Sequence, residues 1–342
     1  MAEVNIQFPD GTVKQFEKGV TVEEIAKSIS ISLAKKAVAG KFDGKLVGYH
    51  DALEQDGSIE IITKDSEDGL VVLWNTVAQI LKHALHNMYP KMKFGESSAT
   101  EHGFCLDTDN ADGQISEDEF DKITAEMNKL IKQNIAIEKI MVPVDEALSM
   151  AEGDEYQTAL INENAVDGQV EMYQQGDFKY LGGVQLPATG AVKVFQILSV
   201  AGAYWKGASS NPMLQRVYGT AFYKQKDLDA ELERRKEAQE RDHRVIGNKL
   251  DLFFVDPKVG AGLPYWMPKG ATIRRTIERY IIDKEVADGY QHVYTPVLMN
   301  LNAYKQSGHW DHYHDDMFPP MDMGDGEFLE LRPMNCPSHI QI

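Results

Sequence analysis

With 342 residues, 43% hydrophobic and 26% charged, the chain can hold two or three domains with their own cores, and its composition excludes a disordered polypeptide. A formal net charge of −18 argues against a basic nucleic-acid reader and leaves any RNA contact to a local basic stripe. Two cysteines, Cys105 and Cys336, exclude a disulfide framework and suit the reducing cytoplasm. Met1–Gly11 carries Glu3, Asn5, Gln7 and Asp10 where a signal peptide would be apolar, and no stretch reaches the ~18 uncharged apolar residues of a membrane span.

Residues 1–63 read as a strand-rich unit. Val4, Ile6 and Phe8 alternate, Pro9-Asp10-Gly11 turns the chain, and Val13 and Phe16 lie on the return strand. Thr21 and Glu24 form a capping box at the start of a helix whose buried side is Val22, Ile25 and Ala26. A turn at Asp43-Gly44 and a strand at Ile59–Ile62 complete a β-grasp pattern. A larger α+β domain follows at 64–224. Val77, Ile80, Leu81, Ala84, Leu85 and Met88 share one face of a helix ending near Pro90. Ser116 and Glu119 cap a second helix with Phe120, Ile123, Met127, Leu130 and Ile131 on its apolar side, and strands are expected at Gln169–Tyr173 and Val192–Val200.

Lys226–Lys249 reads as one charged helix with i,i+4 pairs Glu231–Arg235, Glu237–Arg241 and Glu240–Arg244, so 225–249 is a linker. In the last segment, 250–342, Ile273, Ile277, Tyr280 and Ile281 line a helix running to Asp288. Gly289 ends it, and Gln291–Thr295 is expected as a strand stopped by Pro296.

Three constellations invite a metal. Thr108, Asn110, Asp112, Gly113, Ile115 and Glu119 fit calcium-loop positions, but a threonine replaces the first carboxylate and Glu119 is already the capping partner of Ser116. The stretch therefore reads as a strand–turn–helix connection, with a calcium-responsive protein as the weaker alternative. His309, His312 and His314 with Asp311, Asp315 and Asp316 match no closed tetrahedral spacing. Cys336 alone is first of all a small buried hydrophobe.

Longer phrases carry more. Ala201-Gly-Ala-Tyr-Trp-Lys-Gly207, Met213-Leu-Gln-Arg-Val-Tyr-Gly-Thr-Ala-Phe222, Arg241-Asp-His-Arg244, Lys249-Leu-Asp-Leu-Phe253, Pro268-Lys-Gly-Ala-Thr-Ile273, Ser307-Gly-His-Trp-Asp311 and Met334-Asn-Cys-Pro337 occur in order. In these the chain resembles threonyl-tRNA synthetase, a class II aminoacyl-tRNA synthetase, and its front unit resembles the TGS module of such enzymes. The resemblance implies an α+β multidomain protein: a TGS β-grasp domain (1–63), an editing-type domain (64–224), a linker helix (225–249) and part of an antiparallel-sheet catalytic domain (250–342). It implies ATP with Mg2+, threonine and tRNA as substrates, one Zn2+ per subunit, a homodimer through the motif 1 region at the helix and strand after Leu250, and no membrane partner. Cys336 would be the first zinc ligand and Met334 would line the threonine pocket. Ser338 departs from the family's glycine.

A second departure is sharper. The family's editing centre uses an H-x-x-x-H helix and a C-x-x-x-H segment, and on this chain those positions are Asn75, Gln79, Leu181 and Gln185. The helper lysine and aspartate become Gln157 and Lys179. Amides cannot titrate near neutrality, so hydrolysis of seryl-tRNA is expected to be absent. The second and third class II motifs, the other zinc ligands and an anticodon-binding domain are not found in these 342 residues, so the chain alone is expected not to aminoacylate. The competing reading is a ligase-derived RNA-binding or regulatory protein without catalysis.

Overall fold

Val4 and Ile6 are buried between exposed Glu3, Asn5 and Gln7, and this alternation makes the first strand, Glu3–Gln7. The computed structural model describes residues 2–109 and 113–342. They fall into two units, Met1–Glu237 and Ala238–Ile342, and the division lies inside the helix Gln225–Glu240.

In the first unit, Glu3–Gln7 pairs antiparallel with Val13–Glu17 and parallel with Gly57–Thr63, which in turn pairs antiparallel with Ala37–Phe42. Lys45–Gly48 closes this five-stranded sheet after a turn in which Asp43 and Gly44 both take positive φ, 45° and 81°. Thr21 and Glu24 form the capping box, and Val22 and Ile25 press the helix Val22–Ile29 against Ile6 and Ile59. A helix gripped by a mixed sheet in this order is a β-grasp.

The rest of the unit is built on the helix Glu67–Met88. Ser66 starts it by accepting a hydrogen bond from the Gly69 amide at 3.1 Å, ahead of the apolar run read from the sequence. Gly69 has no alternative here, since a Cβ would stand 2.1 Å from the Thr63 carbonyl oxygen. Val72, Leu73, Val77, Ile80, Leu81 and Ala84 are all buried, in one core with Phe104, Leu106 and Val217. Those residues belong to an antiparallel sheet in the order Val194–Tyr204, Met213–Phe222, Gly103–Asp109, Lys93–Thr100. Trp74 Nε1 donates to Ala221 O at 2.8 Å and fixes the helix to the sheet. The helix Phe120–Gln133 packs into the same core through Ile123, Met127 and Leu130. A second sheet, Ile137–Pro143, Gln169–Gln175 and Phe178–Tyr180, is also antiparallel.

Across the larger sheet Arg216 grips Asp107 with two bonds, Nε–Oδ1 at 2.6 Å and Nη2–Oδ2 at 2.8 Å. The Asp107 side chain is 1% exposed, and the pairing raises the Arg216 pKa.

The segment read as a calcium loop opens from a buried strand end. Thr108 Oγ1 donates to Gln215 O, and Glu119 accepts both the Ser116 amide at 3.0 Å and the Tyr89 hydroxyl at 2.5 Å. The ligand positions Asn110 and Asp112 lie outside the described residues.

Two expectations for the end of the chain need correction. The charged segment is two helices, Gln225–Glu240 and His243–Leu250, because Asp242 caps the second by accepting from the Arg244 amide and also takes the Arg244 guanidinium. Arg244 is thereby drawn away from Glu240, whereas Arg235 does hold Glu231 at 2.6 Å. Gln291–Thr295 is not a strand: no described strand runs alongside to satisfy its backbone, and Tyr294 is fully exposed. The second unit instead has a three-stranded sheet of Leu298–Asn300, Phe328–Leu331 and Met321–Asp322, and a two-stranded one of Phe253–Val255 and Pro264–Trp266. Its long helix, Pro268–Ala287, leaves Ile273, Ile277, Tyr280 and Ile281 exposed.

Substituting Arg216→Met strands the Asp107 carboxylate in the sheet. Chemical denaturation is expected to show a loss of about 3 kcal/mol in the first unit, compared with under about 1 kcal/mol for the exposed pair partner Arg274→Met.

Candidate functional site

The helix Glu67–Met88 is apolar on most of its surface, and its polar residues Asn75, Gln79 and Lys82 recur at i, i+4 and i+7 along one side. Each is pinned. Asn75 Nδ2 donates to Val184 O at 3.2 Å, Gln79 Nε2 to Ser97 Oγ at 2.6 Å, and Lys82 Nζ to Gln157 Oε1 at 3.1 Å. Gln157 sits in the first turn of the helix Glu155–Asn164, where Asp154 caps both the Tyr156 and Gln157 amides. Its own amide donates to Phe94 O at 2.6 Å, so its oxygen is held toward the lysine.

The loop after Phe178–Tyr180 brings the remaining positions. Gln185 accepts from the Tyr180 hydroxyl at 2.9 Å, and that hydroxyl accepts from Gln175 Nε2 at 2.6 Å. Gly182 and Gly183 let this loop approach the helix: a Cβ would stand 2.9 Å from Gln79 Nε2 at the first and 2.7 Å from Asn75 Nδ2 at the second. Leu181 packs half-buried against Val142, Ile161 and Val170. Together these residues border a pocket of about 420 Å³ whose wall includes Lys82, Ser97, Gln157, Leu181 and Gly182. Of the six positions named from the sequence, Gln157 and Leu181 line it, and Asn75, Gln79 and Gln185 stand behind the Gly182–Gly183 backbone. Lys179 is paired with Glu146 at 3.4 Å and, with Lys82 and Gln157, lines a neighbouring pocket of about 640 Å³.

Lys82 escaped the sequence reading, although its position seven residues after Asn75 was the available signal. Its residue is 3% exposed, and burial pushes its pKa down from the ordinary 10.5 to about 8, with Asp154 opposing weakly. The Phe94 ring lies 5.4 Å from its nitrogen. The helix does carry imidazoles, but His83 stacks on Phe178, His86 lies tilted against the same ring, and both line a pocket of about 380 Å³ that lacks Lys82 and Gln157. Burial lowers the pKa of both. Gln79 Oε1 and Gln185 Nε2 are buried without a partner. The 420 Å³ pocket is lined by amides, hydroxyl-bearing residues, one amine and the carboxylates of Glu96 and Glu171, with no imidazole or thiol among its lining residues.

In the second unit, Met334 is 42% exposed and Cys336 is an exposed thiol opening the helix Cys336–Ile340. Among the described residues no three His, Cys, Asp or Glu side chains gather to hold a metal, and one thiolate is not a zinc site. The residues present do not fit a complete zinc centre. In the histidine-rich stretch, His309 meets the Ser307 hydroxyl at 2.7 Å and His314 stacks on Trp310.

The TGS domain pattern matches residues 4–63, and that of the threonyl and alanyl tRNA synthetase second additional domain matches residues 170–218. A threonine–tRNA ligase of Ligilactobacillus salivarius is 69% identical over 100% of this chain and 53% of its own length. One from Levilactobacillus brevis is 66% identical over the same shares, and one from Streptococcus agalactiae 54% identical over 99% of this chain and 52% of its own. The chain is a relative of the threonine–tRNA ligases. It spans about half the length of the curated relatives it matches. Among the described residues, no helix is long and apolar enough to cross a membrane.

Lys82→Met gives a pH signature. Below about pH 8 the amine is charged both folded and unfolded, and the folded chain bears the desolvation cost. From about 8 to 10.5 the unfolded chain binds more protons, so stability of the parent rises with pH. The variant is expected to be more stable by about 1–3 kcal/mol at neutral pH, with the gap closing toward pH 10.5, as read by urea unfolding.

Proposed function

We propose that the chain forms part of a threonine–tRNA ligase, the enzyme that activates threonine with ATP and Mg2+ and transfers it to tRNA. The relation to such ligases at 69% identity along the whole chain carries this reading. Within it, residues 1–63 act as the TGS domain, 64–224 as the editing-type domain, 225–249 as the linker and 250–342 as part of the class II catalytic domain. The protein works in the cytoplasm as a homodimer, and the exposed Ile277 and Tyr280 on the helix Pro268–Ala287 suit a covered surface in that assembly. Met334 contributes to the threonine pocket. Cys336 supplies one thiolate toward zinc, and no chemical step here runs through a metal.

For the editing-type domain the proposal is loss of hydrolysis. Activating water for attack on an aminoacyl ester needs a base that exchanges protons near neutrality. Asn75, Gln79, Gln157 and Gln185 present amides, which remain neutral and uncharged there. Lys82 is mostly protonated at neutral pH, where it acts chiefly as a hydrogen-bond donor.

Two assays test these statements separately. Native protein isolated from its own cells is expected to catalyse threonine-dependent ATP–pyrophosphate exchange; its absence would favour a ligase-derived binding protein without catalysis. Seryl-tRNA mixed with the 342-residue chain near neutral pH is expected to decay at its spontaneous rate, and protein-dependent deacylation would contradict the loss of hydrolysis.

A further inference from the structure

The Lys82 ammonium has three N–H donors, and among the described residues its one hydrogen-bond acceptor is the neutral Gln157 Oε1 at 3.1 Å. Its neighbours show which cavity it serves. The Phe94 ring lies 5.4 Å from the nitrogen. Burial lowers the Lys82 pKa and the Asp154 charge opposes that, while burial lowers the His86 pKa and the Lys82 charge adds to it. Phe94, Asp154 and His86 all line the pocket of about 640 Å³, and none of them lines the one of about 420 Å³. The ammonium therefore belongs to the larger pocket.

Several other charges there are already engaged. Asp154 accepts the backbone amides of Phe94, Tyr156 and Gln157, Lys93 pairs with Glu155 at 2.6 Å, and Lys179 pairs with Glu146 at 3.4 Å. A buried cation whose counter-ion acts only at longer range is costly, and an anion entering the pocket lowers that cost. Glu152, Asp154 and Asp177 are also on the wall, so a doubly charged phosphate meets twice the repulsion that a single negative charge does. Much of the remaining wall is apolar: Met92, Phe94, Ile161 and Met172 are buried, and Met150 is 45% exposed. Flexible thioethers adapt to a hydrocarbon body of varied shape.

We infer that this pocket binds a singly charged organic acid with an apolar tail, its carboxylate accepting hydrogen bonds from the Lys82 ammonium and its tail lying on the methionine-rich wall. No bond is made or broken. The inference goes beyond the ligase reading: a negative exchange assay or a positive deacylation assay leaves it standing, and its own failure leaves both of those statements untouched.

Isothermal titration of the chain with acetate, butanoate, hexanoate, 1-hexanol and inorganic phosphate tests it. Affinity is expected to rise several-fold from acetate to butanoate and again to hexanoate, as burial of methylenes implies. Hexanol, which has the tail without the charge, and phosphate, which has the charge without the tail, are expected to bind about tenfold more weakly than hexanoate or worse. Lys82→Met is expected to weaken hexanoate by about tenfold or more, and Met150→Ser to weaken it several-fold. Glu96→Gln, which alters the smaller pocket, is expected to leave it unchanged. Lys82→Met removes a buried charge and the other two variants alter exposed side chains, so loss of folding does not cloud the comparison. Unchanged affinity in Lys82→Met, acetate or phosphate binding as tightly as hexanoate, or a response to Glu96→Gln in place of Met150→Ser would overturn the inference. So would the absence of binding at about 10 mM hexanoate.

Discussion

The helix Glu67–Met88 must bury nearly its whole circumference, and much of the first unit is arranged to meet that demand. One side lies on the four-stranded sheet, where Val72, Leu73, Val77 and Ile80 are wholly removed from water. The helix Phe120–Gln133 covers another side with Ile123 and Met127. What remains is a narrow stripe at Asn75, Gln79 and Lys82, faced by the loop at Gly182–Gly183 and the helix Glu155–Asn164. A polar group on that stripe has to find a partner inside the protein. The stripe is therefore dense with hydrogen bonds, and a lysine within it loses its water.

The same division of labour is what the proposed loss of hydrolysis requires of the scaffold. The core depends on the apolar positions of the helix and on glycines that let the loop approach. The groups on the stripe take backbone and hydroxyl partners, although Gln79 Oε1 stays without one. Asn75 reaches Val184 O and Gln79 reaches Ser97 without disturbing Trp74, whose indole stays bonded to Ala221. Fold and relatedness to the threonine–tRNA ligases are thus compatible with a pocket whose proton chemistry differs.

Much of the fold was legible in the sequence because local signals coincide with burial. Thr21 and Glu24 mark a helix start, Asp43-Gly44 marks a hairpin, and the alternation at Val4 and Ile6 marks a sheet face. Where structure depends on a distant partner, the reading failed. Gln291–Thr295 has strand-like residues and a proline stop, yet among the described residues no strand pairs with it. The charged helix breaks at Asp242 because a local cap wins over continued i,i+4 pairing. At the pocket, the spacing from Asn75 to Gln79 announced a shared face, and Leu181 and Gln185 came from the family pattern. Lys82 went unread because burial of a lysine depends on the helix Glu155–Asn164, far along the chain, and on the carbonyl oxygen that Gln157 presents.

The account rests on a single displaced amine, charged at neutral pH and almost entirely out of water. Heteronuclear NMR of the chain carrying isotope-labelled lysine reads that amine directly through its side-chain shifts as pH is raised. One lysine resonance, absent in Lys82→Met, is expected to titrate near pH 8 while the exposed lysines titrate near 10.5. If the Lys82 signal titrates with the rest, the amine is hydrated, and the buried lysine described above is not the state of the protein in solution.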